Sequence, residues 1–195
     1  MTLARAQCKR CVAVLVALAF AASPALSSQD GHEFIRLLGF ELNTVTLDDV
    51  QHRLGAAPIV EESATRDHES GLCYATAATV VRFLSAEPGG DVRELLGFSI
   101  ADKTSENVKN CLPLPAAAGS LQTGGLHLGM TRSAFSAAVG DNEHWEGDVA
   151  RRFFPVSPSS NAPELSSLPK TSVAIVARFA GDRLVEFKVW KLRSD

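Results

Sequence analysis

Leu126-His-Leu-Gly-Met-Thr-Arg-Ser-Ala-Phe-Ser-Ala-Ala-Val-Gly140 sets out one complete structural unit in a single run. Leu126 and Leu128 are apolar on alternate positions and Gly129 permits a sharp bend. Thr131 is a good N-cap, Phe135 marks the buried face of a short helix, and Gly140 is placed to close it with left-handed backbone. An earlier stretch, Thr46-Leu-Asp-Asp-Val-Gln-His-Arg-Leu-Gly55, follows the same plan, with Thr46, Val50 and Gly55 matching Thr131, Phe135 and Gly140. Each copy runs on into apolar strand patterns that end in a Gly-Asp turn. The expectation is a duplicated chain divided near Gly119, with residues 29–118 as the first module and 119–195 as the second.

Upstream of both copies, Met1–Ser28 carries Arg5, Lys9 and Arg10, then an apolar run from Cys11 to Ala22, then small residues up to Ser28. These are the parts of a secretory signal peptide. A membrane anchor is the alternative, but the run falls short of the roughly 20 residues that span a bilayer. Cleavage near Ser27 or Ser28 is expected, giving a periplasmic or secreted chain with no membrane span. The chain carries a net charge of −3, and the leader takes three basic residues and no acid with it, so the mature charge falls to about −6. That sign argues against a nucleic-acid surface, which needs clustered Lys and Arg. Cys8 and Cys11 leave with the leader. Cys73 and Cys111 remain as an even pair in an exported chain and are expected to form one disulfide, the sharper alternative being a catalytic thiol.

Working along the chain, Asp30–Gly39 has Phe34, Leu37 and Leu38 at helical spacing and reads as a short amphipathic helix. Thr46–Leu54 is a second, stopped before Pro58, and Glu61–Ser70 reads as a solvated acidic loop. The period then changes to two. Leu72–Ala77, Thr79–Ala86 and Val92–Ala101 are strand-like, the last two joined by a Glu87–Asp91 turn. Asp102–Gly125 has the composition of a connector. The second copy has its helix at Thr131–Val139, an acidic loop at Asp141–Asp148, a strand at Arg151–Val156 and a long Pro- and Ser-rich loop at Ser157–Lys170. Thr171–Ala180 and Arg183–Leu192 form a hairpin around Gly181-Asp182. Val173, Ile175, Ala177 and Phe179 face one side of it, and Val185, Phe187 and Val189 are placed to join them.

The opposite face carries Arg178, Glu186, Lys188 and Trp190. A sheet with helices on one face leaves its other face open, and an aromatic among charges there is placed to anchor a partner. Trp190 is the leading candidate, with Arg82, Arg93 and Arg178 in comparable outward positions on neighbouring strands and Lys188 beside it. The plainer alternative is that Trp190 covers the end of the core. An enzyme has little to rest on. There is no Gly-x-Ser-x-Gly elbow, no His-Glu-x-x-His helix and no phosphate-cradling glycine loop. His68 and His144 sit among acids in predicted loops, which does not make a metal site of three or four converging ligands. No cofactor is expected.

The Leu-Gly-Met-Thr run followed by a short helix ending in Val139-Gly140 resembles the small αβ modules of outer-membrane assembly lipoproteins of the SmpA/BamE type. A tandem pair of such modules resembles the β-lactamase inhibitor protein. Two departures are plain: there is no lipid-attachment cysteine at the expected cleavage point, and the first copy has no Gly before Thr46. The resemblance implies helices packed on an antiparallel sheet, a noncatalytic role and a protein partner bound through the sheet surface or loops. The expectation is therefore an exported α+β protein of two tandem modules, each with one or two short helices packed on an antiparallel sheet. It would act as an inhibitor or an envelope assembly factor. A small-ligand binder or an unrecognised periplasmic hydrolase is the alternative.

Overall fold

The structure is a computed structural model describing residues 31–62, 69–86, 93–105, 108, 110–140, 142–156 and 170–194. The expected leader, the Glu87–Asp91 turn and most of the Ser157–Lys170 loop lie outside the described residues.

Strand alternation dominates the chain. In order come β1 (Arg36–Leu37), β2 (Phe40–Glu41), α1 (Leu47–Leu54), β3 (Val60–Glu62), β4 (Glu69–Ala75), β5 (Thr79–Ser85), β6 (Gly97–Asp102) and β7 (Leu112–Pro113). Then follow α2 (Arg132–Val139), β8 (His144–Glu146), β9 (Val149–Val156), β10 (Lys170–Ala180) and β11 (Arg183–Ser194). Apart from the small β1–β2 hairpin, the strands form one nine-stranded sheet in the order β3-β4-β5-β6-β11-β10-β9-β8, with β7 lying parallel on the edge of β4 beyond β3.

Two separate helix-on-sheet modules are therefore not what the chain forms. β6 and β11 pair antiparallel from Gly97↔Trp190 to Ala101↔Glu186 and join the strands on either side of Gly119 into one mostly antiparallel, sheet-rich fold. Helix is confined to two eight-residue α-helices and isolated 3-10 turns among the described residues, and none is long and apolar enough to cross a membrane. The Asp30–Gly39 helix is also corrected. Only His32–Phe34 makes a 3-10 turn, and the chain then folds back as β1 and β2 around Leu38 and Gly39, both at positive φ. Phe34, Leu37 and Leu38 are buried as their apolar character demands, but through an irregular segment.

One face of the sheet is covered. Leu47, Val50 and Leu54 of α1, Phe135 and Val139 of α2, and the segment from Phe34 to Leu42 all join one continuous core. Phe34 stacks on Phe154 of β9 at 5.2 Å, and Phe40 meets Phe83 of β5 edge-on at 5.6 Å, so this short segment bridges both ends of the sheet. Both helix starts follow the sequence. Thr46 and Thr131 accept hydrogen bonds from the backbone N–H of Asp49 and Ala134. The helix ends differ slightly from expectation. Gly55 and Gly140 have positive φ (106° and 78°) but extended ψ (154° and 165°), a region open almost only to glycine and distinct from the left-handed helical well.

The hairpin faces are nearly as expected. Val173, Ile175, Ala177, Phe179, Phe187 and Val189 are buried in the core. Val185 is not among them. The register shifts between Arg178 and Phe179, Phe179 pairs with Leu184, and Leu184 takes the inward position while Val185 is left half-buried. The acidic stretch at Asp141–Asp148 is not simply a loop either, because His144–Glu146 forms the edge strand β8 against β9.

Candidate functional site: the open face of the sheet

The face opposite the helices is built by strand alternation and can be traced residue by residue through the register. One row across it runs Phe153, Ala174, Trp190, Gly97, Leu84, Gly71 and Val60. The next runs Arg151, Val176, Lys188, Ser99, Arg82 and Cys73. The residues β6 presents here are Gly97, Ser99 and Ala101, all small and buried beneath longer neighbours. Trp190 lies directly over Gly97, where an added Cβ would come within 2.7 Å of the indole ring and 2.9 Å of the Val189 carbonyl oxygen. The aromatic ring thus supplies the cover that the glycine lacks.

Charge is distributed over the same face in pairs. Lys188 places its ammonium 4.7 Å from the centre of the Trp190 ring and 3.0 Å from a Glu69 carboxylate oxygen. Arg178 binds Glu186 at 2.6 Å and Arg151 binds Glu146 at 2.6 Å. The Lys188–Glu69 pair reaches across β5 and β6. On a flat sheet three strand steps alone amount to roughly 14 Å, so this diagonal of the face must curl inward to close the contact.

Of the partner-binding candidates expected from the sequence, Trp190, Lys188, Arg178 and Arg82 are thus brought onto one face. Arg93 is not on it as a strand residue. It precedes β6 in an irregular stretch, accepts a hydrogen bond at its carbonyl from the Leu47 N–H, and lies 3.8 Å from Glu61. Cys73 and Cys111 form the disulfide, with Cys73 on the open side of β4. Sequence reasoning passed over two residues that matter here. Phe153 is 56% exposed and Leu192 43% exposed, the large hydrophobic residues most open to solvent among those described. Phe153 sits two strands from Trp190, across Ala174, and Leu192 is the next residue outward from Trp190 on the same side of β11. Alternation of Phe153 with the buried Phe154 was the available signal, but two adjacent phenylalanines do not say which ring turns inward.

His144 lies exposed on β8, and His68 falls outside the described residues. No protein-family model and no curated protein sequence matches the chain. Among solved structures, the crystal structure of a "putative beta-lactamase inhibitor protein" from Streptococcus mutans is similar at 11% identity over 86% of this chain and 93% of that one, with a TM-score of 0.26. So loose a likeness carries no role from one protein to the other, and SmpA/BamE-type modules gain no support from the family models.

Proposed function

We infer that the protein is a noncatalytic binding module that holds a protein partner on the open face of its sheet, as an inhibitor of an exported enzyme or as an envelope assembly factor. The observation that carries this is the exposed apolar group of Phe153 and Leu192 beside Trp190, bordered by the ion pairs of Arg178, Arg151 and Lys188. An aromatic centre inside a charged rim is the anatomy of a protein interface. The Cys73–Cys111 bridge supports a working place outside a reducing cytoplasm, in the periplasm or beyond the cell.

Site-specific photocrosslinking tests the surface. A photoreactive residue replacing Phe153 is compared with one replacing Ala137, an exposed position of α2 on the covered side. In an oxidised envelope extract of the host, position 153 should capture one partner in near-equal amount, Leu192→Asp should abolish the capture, and position 137 should give none. Capture from 137 alone would overturn the assignment. A captured hydrolase whose activity falls on mixing marks an inhibitor; an integral membrane complex marks an assembly factor.

A further inference from the structure

The outer side of β9 is a strand edge that β8 covers only in part. Gly147-Asp148 alone joins the two strands, and Glu146 stands opposite Val149. In so short a hairpin the closing residues exchange both backbone hydrogen bonds, and beyond them the direction alternates. Val149, Arg151 and Phe153 therefore turn N–H and C=O outward, as Pro155 turns its C=O, while Ala150, Arg152 and Phe154 bond to β10. The bond from the Phe179 N–H to the Asp148 carbonyl, at 2.8 Å, has the same phase. β8 starts at His144, opposite Arg151. Asn142, next in line to cover Phe153, instead gives its carbonyl to the Arg152 guanidinium at 3.4 Å. Among the described residues, the Phe153 N–H and C=O and the Pro155 C=O thus meet no protein group. The Phe153 ring beside them is 56% exposed on the open face. A bare backbone donor and acceptor flanked by an exposed aromatic is a template for another extended chain.

We propose that an extended segment of the protein partner adds to the sheet as a further strand along this edge, taking the Phe153 N–H and C=O and the Pro155 C=O and setting an apolar side chain beside the Phe153 ring. Strand addition presupposes that Phe153 and its neighbours are the partner surface, and it specifies how the partner is held. A second copy of this chain is the poorer occupant. With the two Phe153 residues opposed across a twofold axis, Pro155 of one copy would run into β8 of the other, which already holds Arg151. With the pairing shifted to set Phe153 against Pro155, both Phe153 carbonyls would stay bare, because proline has no N–H. A partner strand without proline at these places satisfies all of the groups.

The test uses the full chain, oxidised and isotopically labelled, with amide hydrogen exchange read by nuclear magnetic resonance. In the free chain the Phe153 amide should exchange on the order of 100-fold faster than those of Arg152 and Phe154. The probe is an acetylated and amidated peptide of alternating threonine and valine, and its control is the same peptide methylated on every backbone nitrogen. For a dissociation constant of about 1 mM, about 10 mM probe should slow the Phe153 amide roughly tenfold, and the control should not. Phenyllactate in place of Phe153 keeps the ring and exchanges the N–H for an ester oxygen. It should weaken probe binding about tenfold, read from the shift of the Phe154 amide, and leave the urea midpoint unchanged. A Phe153 amide already slow in the free chain would overturn the proposal, and slowing that grows with protein concentration would assign the edge to a second copy instead. Equal binding of probe and control, no binding at about 10 mM, or shifts at Trp190 and Leu192 with Phe153 exchange unaltered would overturn strand addition alone. The open-face reading fails separately, when photocrosslinking captures a partner from position 137 alone.

Discussion

Trp190 is at once a surface residue and a structural one. Its indole is partly open to solvent, yet it covers Gly97 and carries Lys188 on its face. Trp190→Ala would uncover the backbone of β6 and is expected to lower stability by roughly 1–3 kcal/mol, read from the urea midpoint. An unchanged midpoint would show that the ring contributes little to the fold. Loss of binding in that variant is therefore ambiguous, whereas Phe153 and Leu192 are exposed enough to separate the two effects. At this scale the sequence was half legible. Period-two alternation put Arg178, Glu186, Lys188 and Trp190 on one side, as found. That Trp190 sits on a glycine depends on the pairing of strands more than eighty positions apart, which no local pattern records.

The two helices show how an element is placed by its first residue. The N-cap Thr46 bridges to Glu94 just before β6, and Thr131 bridges to Arg183 at the start of β11, so each helix is tied to one of the two central strands. Beyond the cap, Arg132 lies over the rings of Trp145 and Phe179, donates to the Gly181 carbonyl and pairs with Asp148, clamping α2 to the hairpin turns. At the other end of α2 is Glu143. Burial pushes its carboxyl up, but hydrogen bonds from Ser136 and Trp145 and the nearby charge of Arg152 outweigh this and hold it below the ordinary value of 4.5. A carboxyl lowered in the folded state adds stability that is complete above 4.5 and is lost as the pH falls through its folded value. Glu143→Gln should therefore flatten the acid limb of a plot of urea midpoint against pH. An unchanged limb would show that the carboxylate contributes nothing. Thr46, Thr131 and both closing glycines were legible because caps are local chemistry. β8 was not, since its three residues, one tryptophan between two polar side chains, are too few to show a period and become a strand only by pairing with β9.

For the whole molecule, the decisive contact is the seam between β6 and β11. It merges what the repeated motif led us to expect as two sheets, and the core beneath it is shared, with the segment around Phe34 and Phe40 touching both ends. Calorimetry of the oxidised chain should accordingly show one unfolding transition with equal calorimetric and van't Hoff enthalpies. Two resolved transitions would mean that the halves are independent after all. The helices that open at Thr46 and Thr131 stand where they were expected, whereas the one expected at Asp30–Gly39 does not form. What was illegible was the partner of each outermost strand, because hydrogen bonding between strands so far apart in the chain leaves no periodic trace.

The position of β11 has a consequence in time as well as in space. Arg183–Ser194 lies at the middle of the sheet, between β6 and β10, although it follows every other described strand in the chain. Synthesis from the amino end releases this strand after β1 to β10, and until it arrives β6 and β10 each present a bare edge to whatever is near. The sheet is thus completed from its centre by the same strand that brings Lys188, Trp190 and Leu192 to the open face.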